Sequence, residues 1–327
     1  MRNFANVIHD SIMSFTLRNI LLIIIGLVSV FLSSCQKEIE VDIPDYDRKI
    51  VIEGRIENGS PAMVIVSRSV PYFDHIDLQT LMNDVFIRDA VVTVSCDGVS
   101  EQLQFTLCED SPVYLAYVGR NIIGEPGKRY DLRVEIGDTV FTSSTTILEP
   151  FHLDSLWLAF ANEQDTTPTT RIQLTDNPAT HDYYMFQIKV HGKRLHDRLW
   201  VTSFPVAFDD ATFNGQTVNY EILRANPSSL FESTMTDEEK EEFYRVTYRK
   251  GDTIYMKTSL IDYDGFQYWS AMTYAISLGQ NPFMSPAPVP CNIKGENVIG
   301  NWCGFASTID TVYYLDDTQL RRRLARR

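Results

Sequence analysis

Hydrophobic and polar residues alternate with a period of two along much of the chain after residue 48. The clearest alternating segments are residues 49–56, 62–67, 90–95, 103–107, 129–136 and 140–147. This period places neighbouring side chains on opposite faces of a β-strand. Asn58-Gly59, Asp97-Gly98 and Gly137-Asp138 separate successive segments, and such dipeptides favour tight hairpin turns. Residues 49–150 are therefore predicted to form an antiparallel β-sandwich-like module.

A second series of strand segments follows Glu149-Pro150, where we place a module boundary. Its segments are residues 154–160, 170–174, 183–190 and 253–260. Thr236 and Glu239 form a capping box, which predicts a short helix near residues 236–245. A second helix is predicted at 264–277, where one face carries Phe266, Trp269, Met272 and Ile276. Residues 151–316 are thus predicted to be a β-rich module with one or two short helices, and the fold class is mainly β.

The N-terminus carries an apolar run at residues 20–32, preceded by Arg18 and followed by Ser33, Ser34 and Cys35. Its 13 residues are too few for a transmembrane helix, which needs about 20 residues. A basic flank, a short apolar centre and small residues are typical of a signal peptide. We predict a signal peptide at 1–34, with Met13 as an alternative start, and a polar tether at 35–48. A buried cysteine behind a core helix is the other interpretation.

Composition excludes one large class of partners. Hydrophobic residues make up 44% of the chain and charged residues 22%, as in a globular protein. The net charge is −14, whereas recognition of nucleic acid needs a dense basic face. We therefore expect no nucleic-acid partner. The exception to the acidic character is a basic tail at residues 317–327.

Cysteine usage indicates an oxidising compartment. The chain has five cysteines, and removal of Cys35 leaves an even number: Cys96, Cys108, Cys291 and Cys303. Three pairings are possible. We favour a disulfide between Cys291 and Cys303, which flank a predicted hairpin at 294–297; Cys96 with Cys108 then follows. A tight turn at 97–98 would instead place Cys96 opposite a residue near Glu101, and four unpaired thiols are the alternative.

No motif in the sequence predicts catalysis. His191 and His196 do not form an H-E-x-x-H signature, and neither a nucleophile elbow nor a phosphate-binding glycine loop is present. Asp209 and Asp210 have the chemistry to bind a cation, but adjacent carboxylates in turns are usually solvated. The cysteines have no metal-ligand spacing. We therefore predict no catalytic residues, no metal and no cofactor, with a glycan hydrolase that uses two distant carboxylates as an alternative.

Several longer segments resemble a known family. They are residues 35–40 leading into 49–54, then 89–94, 124–130, 281–283 and 292–295. The chain is similar across residues 35–314 to the Bacteroidota lipoproteins of the domain-of-unknown-function 4249 family. Its first half also resembles immunoglobulin-like or carboxypeptidase-regulatory modules. The expected architecture is two antiparallel β-sandwich-like, immunoglobulin-like modules.

The resemblance also implies an anchor and a location. Residues 32–35 resemble a lipobox, in which the thiol of Cys35 receives a diacylglyceryl group. Acidic residues after Cys35 resemble a surface-export signal, although Ile39 interrupts them. The expected location is the outer membrane, at the cell surface, with the periplasmic face as the alternative.

The function implied by the resemblance is that of a lipid-anchored, non-enzymatic accessory or binding protein. Its expected partners are the membrane, through the N-terminal lipid, and a TonB-dependent outer-membrane receptor. No ligand is implied. A structural or adhesive envelope protein built from the same β modules is the alternative.

Overall fold

The structure is a computed structural model of the chain. It describes residues 47–70, 80–108, 115–162, 164–191, 200–224, 236–238, 240, 248–278 and 288–315. The predicted signal peptide, Cys35, the tether up to residue 46 and the basic tail lie outside the described residues. Residues Arg48–Arg327 form one compact unit.

Fifteen strands are present in the described residues. The first eight are β1 (Ile50–Glu57), β2 (Pro61–Arg68), β3 (Val91–Cys96), β4 (Val99–Gln102), β5 (Gln104–Leu107), β6 (Leu115–Ile123), β7 (Arg129–Ile136) and β8 (Thr139–Thr146). The others are β9 (Ser155–Ala159), β10 (Thr169–Thr175), β11 (Tyr183–His191), β12 (Val201–Asp209), β13 (Thr217–Arg224), β14 (Thr253–Ile261) and β15 (Val298–Tyr313). The prediction of a mainly β fold is confirmed.

The strands form two sheets. The large sheet has eleven strands in the order β5-β6-β2-β1-β15-β14-β11-β12-β13-β10-β9. The small sheet has four strands in the order β4-β3-β7-β8. β15 pairs in parallel with β1 and antiparallel with β14. Strands from both sides of Glu149-Pro150 therefore share one sheet, whereas the sequence suggested a separate sandwich for each half.

The main core lies between the small sheet and one face of the large sheet. Ile52, Ile56 and Trp302 point into it from β1 and β15, and all three are fully buried. The small sheet contributes Val92, Tyr130, Leu132, Val134 and Phe141. Gly54 is needed beneath this core, because a Cβ at that position would lie 2.6 Å from the Trp302 ring.

The predicted turn at 97–98 and the predicted helix at 264–277 are confirmed, whereas the hairpin predicted at 294–297 is not formed, because the described residues 288–293 contain no strand. Asp97 and Gly98 both have positive φ, as the tight turn between β3 and β4 requires. Helix α1 spans Tyr263–Leu278, and its first turn is capped by Asp262, whose Oδ1 accepts a 2.9 Å hydrogen bond from the Gly265 amide. At the other predicted helix Lys240 N donates to Thr236 O, and residues 241–247 lie outside the described part. Among described residues no helix is long and apolar enough to cross a membrane.

The predicted disulfides are not formed, because the four thiols lie in different surroundings. All four are free: Cys96 and Cys108 are half-buried, Cys291 is exposed and Cys303 is buried. The Cys291 thiol lies beside Gly300 and donates to the Ile293 carbonyl, whereas Cys303 Sγ faces α1 at Gly265. Cys96 lies near Tyr130, and Cys108 Sγ is 3.6 Å from Met63 Sδ. The predicted bridges 291–303 and 96–108 are therefore not seen in this structure.

Candidate functional site

A groove crosses the face of the large sheet that does not pack on the small sheet. Strand β1 reads I-V-I-E-G-R-I-E, so its isoleucines face the core while Val51, Glu53, Arg55 and Glu57 lie on the groove face. Two cavities, of about 160 Å³ and about 530 Å³, lie along it. Both are lined by Arg55, Glu57 and Met63, so they adjoin. We call them the inner and outer cavities of the sheet groove.

Two apolar clusters border the sheet groove. On one side α1 places Phe266 and Trp269 against a cluster formed by Met185, Val206, Ala207, Ile261, Cys303 and Phe305. On the other side a short π-helix (Leu81–Val85) packs against a cluster formed by Met63, Ile65, Phe86, Leu115 and Ala116. The groove is therefore a polar floor between two apolar walls, which is the usual composition of a small-ligand site.

Glu53 is the main acidic group of the inner cavity. The Tyr268 hydroxyl donates a 2.9 Å hydrogen bond to Glu53 Oε1. Glu53 is an exposed residue, so its carboxylate is accessible from the groove. Partial desolvation by the surrounding protein raises the pKa of Glu53, and the Tyr268 hydrogen bond opposes the shift only in part. Burial and the neighbouring Glu53 carboxylate likewise raise the pKa of Tyr268.

Asn301 lies directly beside Glu53. The two residues are register partners in the parallel pairing of β1 with β15, so their Cα atoms are about 4.8 Å apart and their side chains share a face. Asn301 is 3% exposed, and its Oδ1 has no hydrogen-bond partner among the described residues. Trp269 lines the same cavity, and its buried Nε1 also lacks a hydrogen-bond partner among the described residues. Such buried groups are rare in folded proteins, because each costs free energy until a partner arrives.

The outer cavity is organised by a buried ion pair. Lys257 Nζ lies 2.9 Å from both carboxylate oxygens of Glu57, and the two side chains are only 7% and 16% exposed. The same ammonium lies 4.6 Å from the centre of the Trp200 ring. Because Glu57 and Lys257 neutralise each other, Glu53 is the acidic side chain of the groove with no ion pair among described residues.

A second polar cluster lies at the ends of β10, β11 and β12. Asp176, Asp182 and Asp210 are all buried, and one carboxylate oxygen from each lies within 4.8 Å of the others. The chain brings them together because β10 leads through a short loop into β11, and β11 pairs with β12. Carboxylate oxygens are the ligands that Ca²⁺ and Mg²⁺ prefer.

The three carboxylates are also engaged with the protein. Asp176 accepts hydrogen bonds from the Tyr184 hydroxyl, at 2.5 Å, and from the Gly215 amide. Asp210 accepts one from the Asp182 amide, and its other oxygen is 2.6 Å from His181 Nδ1. Burial raises the pKa of Asp182, and the negative charges of Asp176 and Asp210 raise it further. These bonds tie two loops to β11, which is a structural role.

The predicted site residues have different outcomes. Cys35 lies outside the described residues, so its lipidation stays a prediction. Of the adjacent pair predicted to be solvated in a turn, Asp210 is fully buried in the acidic cluster, and Asp209 Oδ2 lies 3.9 Å from His181 Nε2. Sequence reasoning missed Glu53 and Asn301. The available signal was the alternation of Glu53, Arg55 and Glu57 with core isoleucines in β1.

The two carboxylates of β1 are not equally available for glycoside hydrolysis. That chemistry needs two carboxyl groups roughly 5–9.5 Å apart. Glu53 and Glu57 are four residues apart in one strand, so their Cα atoms are about 13 Å apart. Glu57 is also occupied by Lys257. The geometry of this pair is suited to binding a polar ligand.

One comparison with known proteins identifies a match. The model of a family described as a domain of unknown function, DUF4249, matches residues 36–308. No curated protein matches the chain significantly.

Proposed function

The chain belongs to the DUF4249 family, and we propose that it is a lipid-anchored accessory protein of the outer membrane that binds a ligand in the sheet groove. The observation that carries the binding role is the pairing of Glu53 with Asn301 on the floor of the inner cavity. One presents a carboxylate without an ion-pair partner among described residues, and the other an unpartnered acceptor. A ligand that donates hydrogen bonds would pair with the Glu53 carboxylate and satisfy the buried acceptor of Asn301.

The anchor is proposed from the sequence of the N-terminus. A short apolar run followed by Ser33, Ser34 and Cys35 supports cleavage before Cys35 and lipidation of its thiol. Each buried methylene of an acyl chain contributes about 0.8 kcal/mol, so a diacyl anchor holds the protein stably at the bilayer. The resemblance to Bacteroidota lipoproteins supports the outer membrane and its cell-surface face.

A TonB-dependent transporter is the proposed partner. Attachment to the same bilayer raises the effective concentration of the protein near a membrane receptor, which favours complex formation without a large interface. In this role the sheet groove holds material on its way to the transporter. The acidic net charge of −14 supports a partner other than nucleic acid.

The experiment is a mild-detergent pull-down of the tagged protein from its native outer membrane, with Cys35→Ala in parallel. Recovery of a stoichiometric β-barrel receptor, lost in Cys35→Ala, would support the accessory role. Recovery of the protein alone would overturn the transporter partnership and favour an adhesive envelope protein. Glu53→Gln is included because a receptor that contacts the body outside the groove should still be recovered.

A further inference from the structure

We infer that the inner cavity of the sheet groove binds a primary ammonium group carried on a short aliphatic stem. This assignment rests on the proposed binding function and names its ligand class. It follows from the acceptors on the cavity floor, the charge of Glu53, the geometry of its two oxygens and the apolar walls.

The floor presents acceptors side by side. Glu53 and Asn301 are register partners, and Asn301 Oδ1 has no hydrogen-bond donor among the described residues. An ammonium carries three hydrogen-bond donors and no acceptor, so one ammonium can donate to both Glu53 and Asn301. It also supplies a positive charge directly to Glu53, which has no ion pair among the described residues. An anionic head group placed against Glu53 would be repelled by its carboxylate, although Arg55 brings a positive charge to the same face of β1.

The engagement of Glu53 favours an ammonium over a guanidinium. Guanidinium groups bind carboxylates through two parallel hydrogen bonds, which use both oxygens. Here Oε1 already accepts the Tyr268 hydroxyl at 2.9 Å. Oε2 is therefore the less engaged oxygen, and an ammonium can bind it from one side without the two parallel bonds that a planar guanidinium makes.

The walls define what the ammonium is attached to. Met63 and Ile65 line one side of the inner cavity, and Met185 and Phe305 line the other. Its volume of about 160 Å³ is well below the roughly 300–1,000 Å³ of sites for drug-sized ligands. The inner cavity therefore has room for the ammonium head group and a short aliphatic stem. The rest of the ligand extends into the outer cavity. The unpartnered Trp269 Nε1 fits an oxygen atom on that ligand.

The test is calorimetric titration of the full chain, purified in detergent, with 3-aminopropan-1-ol. Propane-1,3-diol is the matched probe without an ammonium. We expect the amine to bind and the diol not to bind. Glu53→Gln, which keeps an acceptor for Tyr268, should weaken amine binding by about tenfold or more, because a charge-assisted bond is lost. Glu135→Gln on the small sheet is the control and should bind like the native chain.

Asn301→Leu keeps the side-chain size and removes the acceptor, so it should also weaken amine binding. Thermal unfolding of each variant establishes that it is folded before titration. Equal binding of amine and diol would overturn the assignment, as would native affinity in folded Glu53→Gln. These results concern the purified chain alone, so they are distinguishable from failure of the receptor pull-down.

The ammonium has two possible sources, a free amine or the lysine side chain of a partner protein. A lysine with blocked α-amino and carboxyl groups, titrated beside 3-aminopropan-1-ol, separates them. At least tenfold tighter binding of the blocked lysine would assign the cavity to a partner's lysine. Tighter binding of the amino alcohol would assign it to a free amine. Absence of binding by both would overturn the ammonium assignment while leaving the receptor complex as a separate question.

Discussion

The indole Nε1 of Trp302 donates a 3.0 Å hydrogen bond to the main-chain carbonyl oxygen of Tyr130. Trp302 belongs to β15 of the large sheet and Tyr130 to β7 of the small sheet, and both are fully buried. This bond therefore joins the two layers through the centre of the core. It also satisfies a donor that would otherwise be buried without a partner.

Trp302→Phe should destabilise the protein by about 3 kcal/mol. The substitution removes the hydrogen bond to Tyr130 and leaves a void in a core that is packed against Gly54. Denaturant unfolding of native and variant chains measures the change. Trp157→Phe is the matched control, because Trp157 is only partly buried on the short strand β9 near the sheet edge and should cost less than half as much. Equal losses in the two variants would contradict a central role for Trp302.

The ion pair of Lys257 with Glu57 should be strongly coupled. Lys257→Met alone leaves the Glu57 carboxylate buried without its partner, and a loss of about 3–5 kcal/mol is expected. The double variant Lys257→Met with Glu57→Leu removes both charges and should recover most of that loss. Unfolding free energies of the native chain, both single variants and the double variant complete the cycle. Additive losses would show that the two charges do not interact.

Stability should fall as the pH rises through the range in which Asp182 loses its proton. The folded pKa of Asp182 lies above its ordinary value of 3.8, because burial and the charges of Asp176 and Asp210 disfavour the carboxylate. Between the unfolded and folded pKa values the folded state binds more protons, so its stability decreases with increasing pH. Burial shifts the pKa of Glu53 and Asp262 in the same direction.

Asp182→Asn should therefore reduce the slope of unfolding free energy against pH above pH 4, without abolishing it. The measurement is denaturant unfolding at a series of pH values from 4 upwards. Asp138→Asn, in the exposed turn between β7 and β8, is the control and should keep the native slope. A steeper slope in Asp182→Asn would mean that the carboxylate is stabilised by its surroundings, contrary to the interpretation.

Local features of the fold were predictable from the sequence, and long-range pairing was not. Alternation and turn dipeptides predicted the hairpin from β3 to β4, because both signals lie within a dozen residues. The parallel pairing of Ile50 with Val298 joins segments at opposite ends of the described chain, and an alternating pattern does not specify its partner strand. Alternation alone predicts that Glu53 faces away from the core. That Asn301 lies beside Glu53 could not be predicted, because it depends on the parallel pairing of β1 with β15.

The number of cysteines did not predict their positions, because these too depend on long-range pairing of strands. An even number of cysteines suggests bridges, but a disulfide requires thiols within bonding distance and side chains that point towards each other. In the structure Cys291 lies beside Gly300, while Cys303 faces Gly265 of α1 from farther along β15. Both are near the same strand, yet their thiols have different neighbours.

Thiol labelling should distinguish these two cysteines. A water-soluble thiol reagent should modify exposed Cys291 rapidly in the folded, unreduced protein. Cys303 should react only after unfolding, because it is 1% exposed and burial raises the pKa of its thiol well above the ordinary value. Peptide mass spectrometry locates the label, and Cys291→Ser should remove the rapid phase.

Because no bridge constrains the unfolded chain, a reducing agent should leave the melting temperature unchanged. A cross-linked peptide containing Cys291 and Cys303, with a lower melting temperature on reduction, would contradict the free-thiol structure.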